Sequence, residues 1–179
     1  QGYVVRPIYL VSSRHYRYAN TYIKQRFGDL VPSFSSKDSL VQFHKGDILL
    51  QTADVGYLSK IKNHLVHLKS VGVSLIFFVH DLLPLRLPYL YKPYFYENFY
   101  PCLVIATELG DKIICVSKSV KQDLKWWLKE NPQLPHNPSL TLHHIHLGSD
   151  MGAFVPTKDM PPEAPAILQA MNLHRLLWL

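Results

Sequence analysis

Blocks of apolar residues alternate with polar, Gly- and Pro-marked breaks, and the period inside each block assigns its element. The clearest block is Val73-Ser74-Leu75-Ile76-Phe77-Phe78-Val79, a β-branched and aromatic run that predicts a central strand of a parallel sheet. Pro84 and Pro88 prevent its continuation, so His80 and Asp81 fall at its carboxyl end in an ordered loop. Upstream, Val4 to Ser12 predicts a strand, and Tyr16 to Phe27 predicts a short aromatic-rich helix ended by Gly28. A Ser/Pro-rich loop from Pro32 to Ser39 precedes a short buried strand, Asp47 to Gln51, with Asp54 in the loop where that strand ends. Ser59 to Ser70 carries apolar residues at Ile61, Leu65, Val66 and Leu68 between lysines, the pattern of an amphipathic helix closed before Gly72.

Downstream, Tyr89 to Tyr100 is crowded with aromatics, and Cys102 to Leu109 predicts a helix reaching Gly110. Lys112 to Val116 predicts another strand, and Ser117 or Ser119 caps a helix from Val120 to Lys129. Lys121, Lys125 and Lys129 repeat every fourth residue on one face of that helix; Leu124, Trp127 and Leu128 take the other, with Trp126 near the boundary. Asn131 to Ser139 is a Pro-rich loop, Leu140 to Ile145 a short strand, and His146 to Asp150 its terminal loop. The strand and helix rhythm predicts an α/β, Rossmann-like, doubly wound and mainly parallel sheet over 1–150. Residues 151–166 read as a Pro-rich interdomain linker, and apolar 167–179 as the start of a further domain.

Composition narrows the class. A chain of 179 residues with 47% hydrophobic and 18% charged positions supports one ordinary domain and excludes a disordered chain. No apolar run reaches the roughly 20 residues of a membrane-spanning helix. The start at Gln1-Gly2-Tyr3, without Met or a signal-peptide pattern, suggests an internal piece of a longer protein. Two cysteines, Cys102 and Cys115, are too few for a disulfide scaffold and point to a reducing compartment. A net charge of +6 suits anionic lipid, phosphorylated ligands or nucleic acid alike. No known nucleic-acid module is present, which places nucleic acid last.

The ligand-binding edge of such a sheet lies beyond the carboxyl ends of its strands, and Asp54, His80, Asp81, Ser117 and Gly148 all fall there. His80 donates to or accepts from hydroxyl and phosphate oxygens near neutral pH, and Asp81 accepts from hydroxyls or orients a histidine. The structural alternative has His80 capping the sheet and Asp81 accepting from loop amides. Ser117-Lys118-Ser119 before a helix offers anion-binding hydroxyls and amides, or simply a cap. No Walker loop or GxGxxG fingerprint occurs. The ten histidines raise metal binding, at His143, His144 and His146 above all, but alternation splits these across two faces of a strand and favours no metal site. The face with Lys121, Lys125, Lys129 and Trp126 suits packing first and an anionic membrane second. The Tyr/Phe-rich segment suits core packing or a lid over acceptor or lipid.

Three separated motifs together carry a resemblance. His80-Asp81-Leu82-Leu83-Pro84-Leu85-Arg86-Leu87-Pro88, then Asp111 to Ser119 with Leu124 downstream, then His146-Leu147-Gly148-Ser149-Asp150 resemble the N-terminal half of retaining GT-B glycosyltransferases of the group 1, or family 4, type. The resemblance covers residues 45–179. It implies the acceptor-side half of an enzyme that moves sugar from a nucleotide-sugar donor to a glycan or lipid-linked acceptor in cell-surface polysaccharide synthesis. Configuration is retained, and neither metal nor cofactor is expected. It further implies His80 and Asp81 at the transferred sugar; Asp54, Arg86, Ser117, Lys118 and Gly148 around acceptor or sugar; and a missing C-terminal domain holding most of the nucleotide. The expected location is cytoplasmic, with the face of Lys121, Lys125, Lys129 and Trp126 the candidate contact with the inner face of the plasma membrane; the resemblance, with its C-terminal motifs absent, implies a chain inactive on its own. The competing class is a non-catalytic α/β binding or membrane-docking module.

Overall fold

The computed structural model describes residues 4–27, 37–52, 55–146 and 148. The chain divides into two units, Gln1–Leu147 and Gly148–Leu179, and of the second only Gly148 is described. The linker expected at 151–166, the further domain start expected at 167–179, and Asp54 lie outside the described residues.

The first unit is built on four parallel strands, β3 (Ile48–Gln51), β4 (Ser74–Val79), β5 (Lys112–Cys115) and β6 (Thr141–His144), side by side in that order. Parallel neighbours need crossovers, and helices supply them. α2 (Leu58–Val71) links β3 to β4, α4 (Pro93–Leu109) links β4 to β5 after a single turn, α3 (Leu83–Arg86), and α5 (Lys118–Glu130) links β5 to β6. The α/β, Rossmann-like class expected from the sequence is what the structure shows: a four-stranded parallel sheet flanked by helices.

The helix-covered side of the sheet presents Leu49, Leu75, Phe77, Val79, Ile113 and Cys115, all buried. Leu58, Ile61, Leu65 and Leu68 of α2 meet this side, with Cys102, Leu103 and Ala106 of α4 and Leu124 and Trp127 of α5. α2 and α4 are tied by Lys62 Nζ to Glu108 Oε2 at 2.8 Å, and α4 and α5 by the Tyr100 and Trp127 rings, 6.1 Å apart edge to face. Gly72 ends α2 at φ 94°, a left-handed conformation that closes the last turn with its N–H on the Leu68 and Lys69 carbonyls. Asp111 anchors the next strand: one carboxylate oxygen takes Lys69 Nζ at 2.6 Å and the other the Leu75 N–H at 2.8 Å.

Two expectations are corrected. The helix expected from Tyr16 begins at Asn20, as α1 (Asn20–Phe27); residues before it form β2 (His15–Tyr18), antiparallel to β1 (Ile8–Ser12). Tyr16 and Tyr18 alternate with His15 and Arg17, a period of two that suits a pleated ribbon. Tyr16 is buried in edge contact with Phe43, 5.8 Å away, and against His64 of α2. β1 starts at Ile8 rather than Val4, following Pro7, which has no N–H for a ladder. The second correction is α4, which starts at Pro93 instead of Cys102 and runs through Pro101. Phe99, Cys102, Leu103 and Ala106 form one buried helical stripe, so burial holds the helix together across the proline.

Candidate functional site

β3 and β4 pair with Gln51 opposite Phe77, so their carboxyl ends emerge together. There the His80 Nε2 lies 3.1 Å from the Thr52 carbonyl oxygen. A carbonyl only accepts, so Nε2 carries the proton of this bond, and in the neutral ring Nδ1 is the acceptor. Phe78, two residues earlier on the same side of the strand, lies 6.5 Å from the imidazole. His80 is exposed, whereas Val79 before it is buried and fixes the strand end. Asp81 Oδ1 accepts the Leu83 N–H at 2.9 Å, which starts the turn of α3. The structural role foreseen for Asp81 is therefore real, and its second oxygen takes no part in that bond.

His80 and Asp81 border one cavity of about 470 Å³. Tyr57 and Lys60, just beyond the end of β3, form one wall, and Tyr91, Tyr94, Phe95 and Asn98 form another. The Tyr57 hydroxyl accepts from the Gln51 side-chain amide, and burial raises its pKa against the opposing effect of that bond. Phe95 stacks on Tyr94 at 4.4 Å and meets Tyr91 at 5.8 Å, so the three rings form a continuous aromatic wall. Asn98 is oriented by donating to the Tyr94 carbonyl at 2.6 Å. An imidazole, a carboxylate, an ammonium and an amide facing aromatic rings suit a ligand with many hydroxyls and apolar C–H faces.

The other expected site residues go elsewhere. Arg86 Nη1 donates to Asp123 Oδ1 at 2.7 Å and lines a second cavity of about 380 Å³, beside Trp126 and Trp127. The Ser117 hydroxyl accepts the Val120 N–H at 3.1 Å as the cap of α5, and Lys118 is its exposed first residue. Gly148 is exposed within the second unit. On α5, Lys125 and Lys129 are exposed, Lys121 is half-buried, and Trp126 keeps 59% of its surface in solvent. Among the described residues no group of three His, Cys, Asp or Glu side chains is placed to hold a metal ion, and no helix is long and apolar enough to cross a membrane.

Sequence reasoning missed Tyr57, Lys60 and Asn98 as cavity residues. The signal for Asn98 was present: Tyr94, Phe95 and Asn98 are spaced i, i+1, i+4 on one face of a helix where only an aromatic-rich segment was read, and Tyr91 joins them from the extended residue just before it. Tyr57 and Lys60 come six and nine residues after the end of β3, without a motif to single them out.

Over 172 residues the chain is 37% identical to the serotype-specific mannosyltransferase WbdA of Escherichia coli, covering 95% of this chain and 21% of that protein. Two further Escherichia coli sequences of the same name are each 36% identical over 172 residues, 21% and 20% of their lengths. The chain thus spans about a fifth of the length of the curated relatives it matches. No family model matches the chain. No solved structure matches it either.

Proposed function

We propose that this chain is the acceptor-side part of a glycosyltransferase that moves a sugar, a mannosyl group in the first instance, from a nucleotide-sugar donor to a growing glycan or lipid-linked acceptor. The observation that carries this reading is the cavity at the carboxyl end of β4, within a chain similar over 95% of its length to mannosyltransferases. Imidazole, carboxylate and aromatic wall are the groups that recognise sugar hydroxyls and sugar C–H faces.

In this reading His80 is held by Thr52, so that Nδ1 accepts a hydroxyl proton of the transferred sugar or steadies it during departure of the nucleotide. Asp81 spends one oxygen on the Leu83 N–H and offers the other to a hydroxyl. The ring wall of Tyr91, Tyr94 and Phe95 fixes the acceptor by stacking and excludes water, which raises the effective concentration of its hydroxyl at the anomeric carbon. Reaction with retention, no resident metal or cofactor, a nucleotide site outside this chain and little transfer by this chain alone complete the proposal. A screen of nucleotide sugars and mannan-type or lipid-linked acceptors with the full-length protein tests it. Donor-dependent transfer is the expected result, and its absence across the panel from folded full-length protein overturns the reading.

A second reading concerns location. Trp126 stands exposed beside Lys125 and Lys129, a pairing of ring and cations that suits the headgroup layer of an anionic membrane. It fits a cytoplasmic enzyme working at the inner membrane face on a lipid-linked acceptor.

A further inference from the structure

The short helix α3 stands between two cavities. Asp81 and Pro84 border the His80 cavity on one side of it, and Leu82, Leu85 and Arg86 border the second cavity, of about 380 Å³, on the other. α5 closes the second cavity with Asp123, Trp126 and Trp127, whose spacing of i, i+3 and i+4 puts them on one flank of that helix. Lys125 and Lys129, each two residues beyond one of them, turn away from it. Leu82 and Trp127 are buried and form an apolar floor, whereas Trp126 keeps most of its surface in solvent. On the rim, Arg86 Nη1 donates to Asp123 Oδ1 at 2.7 Å, with both side chains part-exposed. That bond occupies a single guanidinium N–H and a single carboxylate oxygen, so further donors and a second acceptor oxygen remain for hydroxyl groups. The charges cancel within the pair, which favours a neutral, hydroxyl-rich ligand over a phosphate or a nucleotide.

Given the acceptor role proposed for this chain, we propose that the second cavity is a saccharide subsite: it holds an inner sugar of a mannan-type acceptor while the reacting end of the same glycan lies beside His80. The indole of Trp126 takes a C–H face of that sugar, and Arg86 and Asp123 take its hydroxyls. The two cavities are one helix apart, about 10–12 Å with side chains, a gap that a short run of linked sugars bridges over α3. The spacing is built into the fold. Asp81 Oδ1 accepts the Leu83 N–H, and the Leu82 carbonyl accepts the Leu85 and Arg86 N–H groups at 3.0 Å each, so one pinned turn carries residues of both cavities. Binding energy gained away from the reacting centre makes an extended glycan a better acceptor than a single sugar.

Binding is measured first, without donor, by calorimetric titration of the full-length protein with mannotetraose and with methyl mannoside. Mannotetraose is expected to bind at least about 10-fold more tightly, and Trp126→Ala to remove that advantage while leaving methyl mannoside binding unchanged, the size of one aromatic contact. Trp126 is exposed, so its truncation leaves the fold intact, and Trp126→Phe, which keeps a ring, is expected to restore most of the advantage. In transfer assays Trp126→Ala is expected to raise KM for mannotetraose about 10-fold, with kcat and the methyl mannoside KM unchanged, the mark of lost uniform binding. No binding of mannotetraose, equal affinity for the two sugars, or an advantage that survives in Trp126→Ala overturns the subsite. So does a Trp126→Ala protein that loses only its binding to anionic vesicles, which assigns the indole to lipid. His80→Ala keeps the two claims apart: full transfer in that variant overturns the sugar site beside His80, whereas the mannotetraose titration decides the subsite without any transfer.

Discussion

The imidazole of His80 and the backbone carbonyl of Thr52 hold the carboxyl ends of β4 and β3 together at 3.1 Å. The bond positions a side chain that is itself exposed, so little folding energy depends on the ring. His80→Ala is expected to change unfolding free energy by less than about 1 kcal/mol. Urea denaturation checks this, and it separates a loss of activity from a loss of fold.

Asp111 is a structural counterpart with the opposite expectation. Its carboxylate joins Lys69 of α2 to the Leu75 N–H of β4, at 2.6 and 2.8 Å. Asp111→Ala leaves the Leu75 donor without this partner and is expected to destabilise the unit by about 1–3 kcal/mol. Lys69→Ala, which removes only a partly exposed ion-pair partner, is expected to cost under about 1 kcal/mol. Equal effects of the two in denaturant titrations would place the energy in the ion pair instead.

The loop before β5 predicts a steric effect. A Cβ on Gly110 would stand 2.5 Å from the Ala106 carbonyl oxygen and 3.1 Å from the Phe77 ring. Neither neighbour has room to retreat, since Phe77 is fully buried. Gly110→Ala is therefore expected to cost about 1–3 kcal/mol, in the range of overpacked sites, and to lower Tm accordingly. Ser117→Ala, which removes the cap of α5, is expected to cost about 1 kcal/mol.

Buried titrating groups bound the pH range of stability. Burial pushes Cys115 up to about 11 from 9.0, and Tyr16 up to about 12 from 10.0, with Tyr57 adding to the latter. The unfolded chain then releases these protons first as pH rises, so stability falls from pH 9 toward 11 and 12. His64 has the reverse effect: burial, and then His67 and His15, lower its pKa from 6.5. The unfolded state takes up that proton more readily, so the contribution is present above pH 6.5 and is lost as pH falls below it. Denaturant midpoints measured across pH 5–11 are expected to decline at both ends, and His64→Gln to flatten the acid side.

The sheet was legible because Val73 to Val79 and Lys112 to Val116 are strand-length apolar runs bounded by Pro, Gly or Ser, where one local signal suffices. The Ser117 cap and the Gly72 stop were legible for the same reason. Tyr16 was misread because its strand identity comes from pairing with Leu10 and packing on Phe43 and His64, contacts that no local period encodes. Pro93 and Pro101 hid the first half of α4, whose helical stripe is visible only once Phe99 is placed with Cys102 and Leu103. At the site, His80 and Asp81 followed from their place after a strand. Arg86 did not, because its partner Asp123 lies 37 positions away on α5.

The membrane contact proposed for α5 makes an independent prediction. Lys125→Gln with Lys129→Gln is expected to weaken sedimentation of the full-length protein with anionic phosphatidylglycerol vesicles by about 2 kcal/mol, near 1 kcal/mol for each lysine at the surface. Binding unchanged by the double substitution assigns those lysines to solvent.

Sugar transfer by the full-length protein and its His80→Ala variant tests whether the cavity at the end of β4 holds the sugar. Transfer is expected to depend on a nucleotide-sugar donor and to fall by about 100-fold in the variant, while unfolding free energy changes by less than about 1 kcal/mol. Transfer that persists at the full rate in folded His80→Ala protein would contradict it.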